Sequence, residues 1–184
     1  MQKEDSKNKH VLPCKIDEYY INTPTVNARK IVERLLLGVP SQYLEGLGAV
    51  VLCDTASFKK NYGDKEKLSI SRYIRAKGGE CLPWIEILID RIFAGFPTHV
   101  LRISFITDLI LSDHLYHEIG HHIHKPQKLN DKESEAIAEK WRKKLQKQYL
   151  IRKYWYMVIP LALIFLPFER QIRKFRESKK SNIT

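Results

Sequence analysis

The sequence predicts a small α+β domain, and three observations support this fold class. A chain of 184 residues, 43% of them hydrophobic with nine Tyr and three Trp, can bury one sizeable core but not two. Short apolar runs between residues 49 and 92, bounded by glycines and polar turns, predict a small antiparallel sheet. Residues 99–124, with one glycine and no proline, and residues 132–150 predict two long helices.

Composition divides the chain into three parts. We predict a polar leader over residues 1–24, a folded domain over 25–150, and an apolar and basic segment over 151–184. The first ten residues, MQKEDSKNKH, lack the apolar stretch of a secretory signal peptide. Three widely spaced cysteines without a CxxC pair leave at least one thiol free, which favours a reducing compartment and a cytoplasmic location.

The first half of the domain predicts a helix, a strand and a loop in that order. Apolar residues recur at helical spacing over residues 25–37, and Gly38 and Pro40 end this helix. The β-branched run AVVLC at 49–53 predicts a strand. Residues 54–69 are polar and are predicted to form a loop.

A hairpin is predicted next, followed by the two long helices. Its arms are residues 71–76 and 84–92, although so short an apolar run as 84–93 is also compatible with a helix. The first long helix ends before Pro126, because the residue before a proline disfavours helical geometry. Asp131 is a good N-cap for the second, which runs from about Lys132 to Leu150.

An HExxH motif, His117-Glu118-Ile119-Gly120-His121, lies near the end of the first long helix. Residues four apart share a helix face, so the two imidazoles can bind one metal ion. Glu118 lies about 100° round the helix from His117, beside the metal, where it can take a proton from a metal-bound water and pass it to a leaving amine. Zinc suits these ligands, since it lowers the pKa of bound water to about 7.

The third ligand of such a site must come from elsewhere in the chain, because a catalytic zinc usually has three protein ligands. The metzincin pattern places a histidine six residues after the second one, and Gln127 occupies that position. Residues 133–139 read ESEAIAE, and here the chain resembles the gluzincins, the thermolysin-like metallopeptidases with an E-A-x-x-(D/E) segment. The resemblance implies that Glu135 is the third ligand and that Glu139 holds a histidine ring, His117, in place. Glu133 is the alternative ligand.

The short spacing between the two motifs makes the resemblance more specific. Thirteen residues separate His121 from Glu135, and this short spacing is similar to that of compact bacterial metallopeptidases of the ImmA/IrrE kind. The likeness covers residues 99–141 and extends loosely to 41–93. It implies a minimal zincin-like domain with a small antiparallel sheet, an active-site helix and a Glu helix.

Other side chains near the motif are not expected to belong to this ligand set. His114, His122 and His124 are expected to be solvated or hydrogen-bonded rather than ligands, and Asp113 is a candidate to buttress His117. Cys81, in Gly-Glu-Cys-Leu-Pro, resembles faintly the cysteine ligand of peptide deformylases, although the intervening glycine of that segment is missing here. Otherwise Cys81 is expected to be an ordinary buried thiol.

Zincins commonly bind an extended peptide along a sheet edge above the metal, and residues 84–92 are the predicted edge. A second group, usually Tyr or His, normally stabilises the oxyanion, and Tyr73, Tyr62 and His124 are the candidates. We therefore expect peptide-bond hydrolysis with one catalytic zinc and a protein or peptide substrate. The alternatives are a non-catalytic zinc-binding regulator that binds a partner, and a deformylase-like metal amidase.

The C-terminal part has its own character. Residues 141–184 hold twelve Lys/Arg and two Asp/Glu, which is +10 of the net charge of +11. Residues 154–168 are almost wholly apolar but shorter than the roughly 20 that span a bilayer. Contact of residues 150–180 with an anionic membrane surface and packing as a core segment are both compatible with this pattern. Its basic end would also suit nucleic acid, although that signal is generic.

Overall fold

The structure is a computed structural model that describes residues 14–63, 68–75, 81–124 and 131–181, with side chains described up to residue 156. In this part of the chain a four-stranded sheet and six helices form a mixed α+β fold. The strands are β1 (Lys15–Tyr19), β2 (Ala49–Cys53), β3 (Ser71–Ile74) and β4 (Trp84–Leu88). The helices are α1 (Ala28–Leu36), α2 (Thr55–Tyr62), α3 (Ile89–Ile92), α4 (Thr98–Leu101), α5 (Ser104–Ile123) and α6 (Asp131–Ser181), and a 3₁₀ turn covers Ser41–Tyr43.

The sheet is mixed, which corrects the predicted antiparallel one. The strand order is β1-β2-β4-β3, with β1 parallel to β2, β2 parallel to β4, and only β3 and β4 antiparallel. The chain returns from β1 to β2 through α1, and such a crossover makes neighbouring strands parallel. The predicted hairpin is confirmed for β3 and β4, but residues 89–92 of its predicted second arm form helix α3. Turn signals report on local pairs, whereas the direction of a distant partner leaves no local trace.

Strand β1 lies inside the region predicted as a leader over residues 1–24, so the compact fold begins before residue 25. Only Ile16 of KIDEY is buried, because β1 is at a sheet edge, and one inward residue makes a weak strand signal. Residues 1–13, the most polar part of the predicted leader, lie outside the described residues.

Two of the three predicted helices are confirmed, whereas the third helix and one predicted loop need correction. The helices predicted at 25–37 and from about residue 132 correspond to α1 and the start of α6, and the strand at 49–53 is confirmed as β2. The loop predicted at 54–69 contains α2. The helix predicted from residue 99 to 124 is divided, because Ile103 is extended (φ −84°, ψ 107°) between α4 and α5. The interruption is only two residues long, Arg102 and Ile103, and does not alter the apolar spacing.

Two compact units divide the chain, residues 1–149 and 150–184. Helix α6 begins in the first, and Tyr154, in the second, has non-helical backbone angles (φ −119°, ψ 22°). Within the described residues no helix combines the length and apolarity of a membrane span. The side chains of 157–184, most of the segment predicted to touch a membrane surface, lie outside the described ones.

Apolar residues alternate along the strands, so one face of the sheet is apolar and buried, and this face packs against α5. Ile16, Val50, Leu52, Ile85 and Ile87 all point to that face and are buried. Helix α5 packs against β3, β4 and α1. On α5 the apolar side is equally buried, through Leu111, Leu115, Tyr116 and Ile119. This burial places the end of α5, where the HExxH motif lies, beside β3.

A buried carboxylate fastens three helices together. Asp108 on α5 is fully buried and accepts hydrogen bonds from Arg34 Nη2 on α1 (2.6 Å) and from the Tyr149 hydroxyl on α6 (2.5 Å). An unpaired buried charge would be costly, so each partner is needed to keep Asp108 in place. The network fixes the position of α6 against α5 several turns away from the HExxH motif.

Asp54 performs a similar role at the end of β2. Its Oδ1 accepts the Ser57 N–H (2.8 Å) and caps α2, while Oδ2 accepts the N–H groups of Ile21 (3.2 Å) and Asn22 (2.7 Å). Burial by itself would raise the pKa of Asp54, but these hydrogen bonds to the charged form outweigh it and hold the pKa below its ordinary value. Asp54 therefore ties the segment after β1 to the end of β2.

We expect Asp54→Asn to lower the free energy of unfolding by about 1.5–3 kcal/mol at neutral pH, because it removes a charged acceptor of several hydrogen bonds. A lowered native pKa stabilises the fold above about pH 4, and this contribution is lost as the pH falls through the lowered value. Urea unfolding of both proteins at several pH values measures the difference, which should shrink in acid. Asp17→Asn, which removes a half-exposed carboxylate of β1, is the control. A difference independent of pH would contradict this account of Asp54.

Candidate metal centre

The HExxH motif lies in the last two turns of α5, where one side of the helix is buried and the other faces a cleft. His117 and His121 are one turn apart, and their Nε2 atoms are 3.2 Å from each other. Their rings meet edge to face, with centroids 4.9 Å apart. Both imidazoles therefore direct the same nitrogen to one point in the cleft.

Helix α6 reaches this point because Gly120 lets it approach closely. A Cβ atom added to Gly120 would lie 2.7 Å from the carbonyl oxygen and 2.8 Å from the Cα of Ala138, which is fully buried. Real Cβ atoms do not approach backbone so closely, so only glycine permits this contact. Glu135 is three residues before Ala138, on the same side of α6. The contact thus brings a carboxylate to the two histidines.

The three side chains form a compact donor set. Glu135 Oε2 is 3.2 Å from His117 Nε2, and Glu135 Oε1 is 3.4 Å from His121 Nε2. Zinc bonds of about 2.0–2.2 Å in tetrahedral geometry separate neighbouring ligand atoms by about 3.3–3.6 Å. The three observed separations, 3.2, 3.2 and 3.4 Å, lie within or just below that range. The cluster therefore has the residue types and the spacing of a group that could hold one metal ion.

Ser134 supports the orientation of His121. Its hydroxyl oxygen is 3.4 Å from His121 Nδ1, the ring nitrogen that points away from the cluster. When Nε2 offers its lone pair to a metal, Nδ1 carries the proton and donates it to Ser134. Burial lowers the pKa of His121, against the opposing charge of Glu135, and this favours the neutral imidazole that a metal needs.

Glu118 lies beside this donor set and is held by its own hydrogen bonds. It is 5% exposed, and its Oε1 accepts a hydrogen bond from the Ser71 hydroxyl on β3 (2.6 Å). The backbone N–H of Tyr73 also donates to this carboxylate. Burial raises the pKa of Glu118, although the hydrogen bond from Ser71 opposes the shift. A carboxylate of raised pKa accepts a proton more readily than an ordinary one.

An open cleft of about 420 Å³ contains these groups. Its walls come from α5, the start of α6 and strand β3, and its lining residues are Ser69, Ser71, Arg72, Tyr73, Arg75, His117, Glu118, His121, Asp131, Ser134 and Glu135. Strand β3 is the last strand of the described sheet, so it, and not the predicted 84–92, is the edge above the donor set. Burial raises the pKa of Tyr73, against the opposing positive charge of the exposed Arg75, and the same charge adds to the lowering of the His121 pKa by burial.

Tyr73 is the one of the three predicted oxyanion candidates that lines this cleft. Its hydroxyl lies 3.2 Å from Nδ1 of His122, and His122 Nε2 lies 3.0 Å from the carbonyl oxygen of Glu45. A carbonyl only accepts, so Nε2 carries the proton and neutral His122 accepts from Tyr73 through Nδ1. His122 is thus a hydrogen-bonded histidine, as predicted, and it holds the phenol in place.

Glu139 is not where the resemblance implied. Its carboxylate accepts two hydrogen bonds from Arg142, both 2.6 Å, and lies 3.1 Å from Lys143 Nζ, so among its described contacts it pairs with cations and not with His117. Asp113 pairs with the same Arg142 and does not buttress His117. An arginine one turn further along α6 competes successfully for both carboxylates, because it can donate to several oxygens at once.

The remaining predicted side chains are also outside the donor set. His114, His124 and Glu133 do not belong to the described cluster that could hold a metal, and Tyr62 packs beside Phe58 on α2. Cys81 is exposed, which corrects the prediction of a buried thiol.

Sequence reasoning missed Ser71, Ser134 and Arg75. Side chains alternate between the two faces of β3, so Ser71 and Tyr73 both lie on the face turned to α5. The predicted hairpin together with this alternation is enough to predict that the two residues share a face. The contact of Ser134 depends on the rotation of α6 about its axis, and Gly120 sets that rotation. The charge of Arg75 acts through space and leaves no pattern.

We expect Gly120→Ala to weaken zinc binding about tenfold or more, the size of effect seen when groups that orient metal ligands are lost. The added methyl must push α6, and Glu135 with it, away from the histidines. Zinc affinity measured by competition with a chelator tests this. Gly63→Ala is the control, because Gly63 has positive φ and open space around it. It should cost stability through backbone strain and leave zinc affinity unchanged, whereas equal losses in both variants would refute the argument.

Alkylation should distinguish the three thiols. Cys14 and Cys53 are buried, and burial raises the pKa of Cys14 to about 11 and that of Cys53 to about 12, so little thiolate is present at neutral pH. Iodoacetamide should modify Cys81 alone in the native protein and all three in denaturant, as counted by mass spectrometry. Zinc should not protect Cys81. Protection would support the deformylase-like alternative instead.

No protein-family model, curated protein or solved structure matches this chain. The assignment of a function therefore depends on the residues that line the cleft.

Proposed function

We propose that this chain is a zinc-dependent peptidase of the gluzincin type, with a minimal zincin-like domain. One observation carries the proposal: His117 Nε2, His121 Nε2 and the Glu135 carboxylate all lie within 4.8 Å of one another on two helices in backbone contact. These are the ligand types and the number that a catalytic zinc site uses, with the fourth position left for water or substrate.

The open side of the cluster favours a catalytic site over a structural one. The side chain of Glu135 is 62% exposed, and the cleft extends from it along β3. A structural zinc is enclosed by four protein ligands, and the described residues offer three. A bound zinc would supply Lewis-acid chemistry at this position, polarising a substrate carbonyl and lowering the pKa of a coordinated water.

Glu118 is the proposed general base. It lines the same cleft, and its raised pKa suits a group that first takes a proton from water and then gives it to the leaving amine nitrogen. Ser71 and the Tyr73 N–H hold its carboxylate, so it does not have to be ordered when the substrate arrives.

The substrate class follows from β3. One side of this strand pairs with β4, and its other side borders the cleft. An extended peptide can add to such an edge through backbone hydrogen bonds, which places one of its carbonyl groups near the donor set. Arg75 lines the same wall and is the group available to stabilise negative charge on that oxygen, because the Tyr73 hydroxyl already donates to His122.

Metal content tests the ligand set first. The purified protein should hold one zinc ion per chain by elemental mass spectrometry, and His117→Ala and Glu135→Gln should lose most of it. Glu133→Gln is the matched control, since it changes a neighbouring carboxylate of α6 outside the donor set. Retention of full zinc by Glu135→Gln would overturn the assignment of the third ligand.

Activity tests the chemistry separately. Glu118→Gln should keep its zinc and lose about 10²–10⁴-fold of the hydrolysis rate on an unfolded protein such as fluorescently labelled casein, the usual contribution of a general base. Undiminished hydrolysis by this variant would refute the mechanism. Zinc binding without hydrolysis in the unmodified chain would instead support a non-catalytic regulator.

A further inference from the structure

Arg142 connects α5 and α6 close to the donor set. Its Nη1 donates a hydrogen bond to Oδ1 of Asp113 on α5. Its Nε and Nη2 donate to the two carboxylate oxygens of Glu139 on α6, both at 2.6 Å. The guanidinium thus bonds both carboxylates at once and forms a bridge between the two helices.

This bridge lies one helical turn from two of the proposed ligands. Asp113 is four residues before His117 on α5. Glu139 is four residues after Glu135 on α6. Residues four apart share a helix face, so each carboxylate of the bridge is next to a ligand on its own helix. The side chain of Arg142 is 18% exposed, less than those of the two carboxylates it joins, so water competes little for the guanidinium.

The contact between Gly120 and Ala138 sets the separation of the helices, but it resists sliding along their axes only weakly. Packed helices ordinarily interlock because side-chain ridges of one enter grooves of the other. Neither glycine nor alanine provides such a ridge. A slide by one residue is about 1.5 Å, whereas the bonds of a metal site keep to within about 0.2 Å of their ideal lengths. A directional contact near the donor set is therefore needed to fix α6 along α5.

Arg142 has the geometry of such a contact. Its two parallel bonds to Glu139 hold the planar guanidinium in one orientation, because the fork of nitrogens matches the two carboxylate oxygens. The remaining nitrogen is then directed at Asp113, so the bond between the helices has a fixed direction. Asp108 also joins α5 and α6, but it is nine residues before His117, about 13 Å along the helix.

We propose that Arg142 is a positioning residue for the zinc site, which holds Glu135 in reach of the two histidines by bonding Asp113 and Glu139 together. This inference rests on the proposed zinc-dependent function. It gives Glu139 a role that the resemblance to gluzincins did not imply, because this carboxylate orients an arginine and not a histidine ring. The bridge acts on the site indirectly, since none of its three residues belongs to the donor set.

The sign of the change in zinc affinity separates positioning from simple electrostatics. Removing a cation near a zinc site lessens the repulsion of the ion, so charge alone predicts that Arg142→Met binds zinc equally well or more tightly. Positioning predicts the opposite, a loss of about tenfold, the size seen when groups that orient metal ligands are removed. Competition with a chelator measures the zinc affinity of the full chain, and the thermal midpoint of the metal-free protein shows that the variant is folded.

Lys143→Met is the matched control. Lys143 is the next residue of α6 and pairs with the same Glu139 carboxylate (3.1 Å), but its described ion pair does not extend to α5. Its replacement removes the same charge and should not weaken zinc binding. Asp113→Asn should weaken zinc binding as Arg142→Met does, and the double variant should be no weaker than the weaker single one, because both changes break the same link.

Cobalt in place of zinc reports the ligand set directly, because its visible absorption bands depend on the coordination geometry. The cobalt spectrum of Arg142→Met should shift towards that of Glu135→Gln, since both variants lose the bond to the same carboxylate. A variant that had lost only stability would keep the spectrum of the unmodified chain.

Failure of this inference is distinguishable from failure of the proposed function. An unmodified chain that binds no zinc would overturn both. If the unmodified chain binds zinc and folded Arg142→Met binds it equally well or more tightly, the positioning role alone is wrong and the ligand set stands. An equal loss in Lys143→Met, or additive losses in the double variant, would also refute it. Should Arg142→Met not fold, an unchanged cobalt spectrum in Asp113→Asn is the refuting result.

Discussion

The backbone contact between Gly120 and Ala138 is the constraint on which the candidate metal centre depends. Two helices whose surfaces are covered by side chains usually pack 8–10 Å apart, and a methyl group on Gly120 would already collide with Ala138. The contact turns the histidines of α5 and the carboxylate of α6 to one point. Asp108, bonded to Arg34 and Tyr149, holds the same two helices further along. Neither feature contributes a ligand, yet together they position the ligands.

The sequence predicted the donor set better than its surroundings. HExxH on an apolar helix is a short-range pattern with a chemical reason, and His117, His121 and Glu118 could be selected from it. The choice of Glu135 over Glu133 needed the resemblance to gluzincins, because both glutamates lie on the first turns of α6. Only the packing of Ala138 against Gly120 decides which of them faces the histidines.

Several of the predictions that failed share a physical cause, which is that another residue, near or distant in sequence, is the better partner. Glu139 was expected to hold His117, but Arg142 offers it two hydrogen bonds on its own helix. The parallel pairing of β1 with β2 depends on a crossover, and β1 itself has one inward apolar side chain. Helix α2 depends on the cap from Asp54, whose other bonds reach back across the sheet to Asn22. Local patterns contain no information about such competitors.

The ion pair between Arg72 and Glu86 has a further consequence for the cleft. These residues are directly opposite on β3 and β4, 2.6 Å apart, with the guanidinium over the rings of Phe58 and Tyr62. They lie on the face of the sheet away from α5, while Ser71 and Tyr73 face Glu118. A slip of β3 by one residue would reverse the faces and direct Arg72 at Glu118. This salt bridge, although outside the donor set, thus stabilises the register of β3 against β4. The proton affinity of Glu118 therefore depends on strand register as much as on its own neighbours.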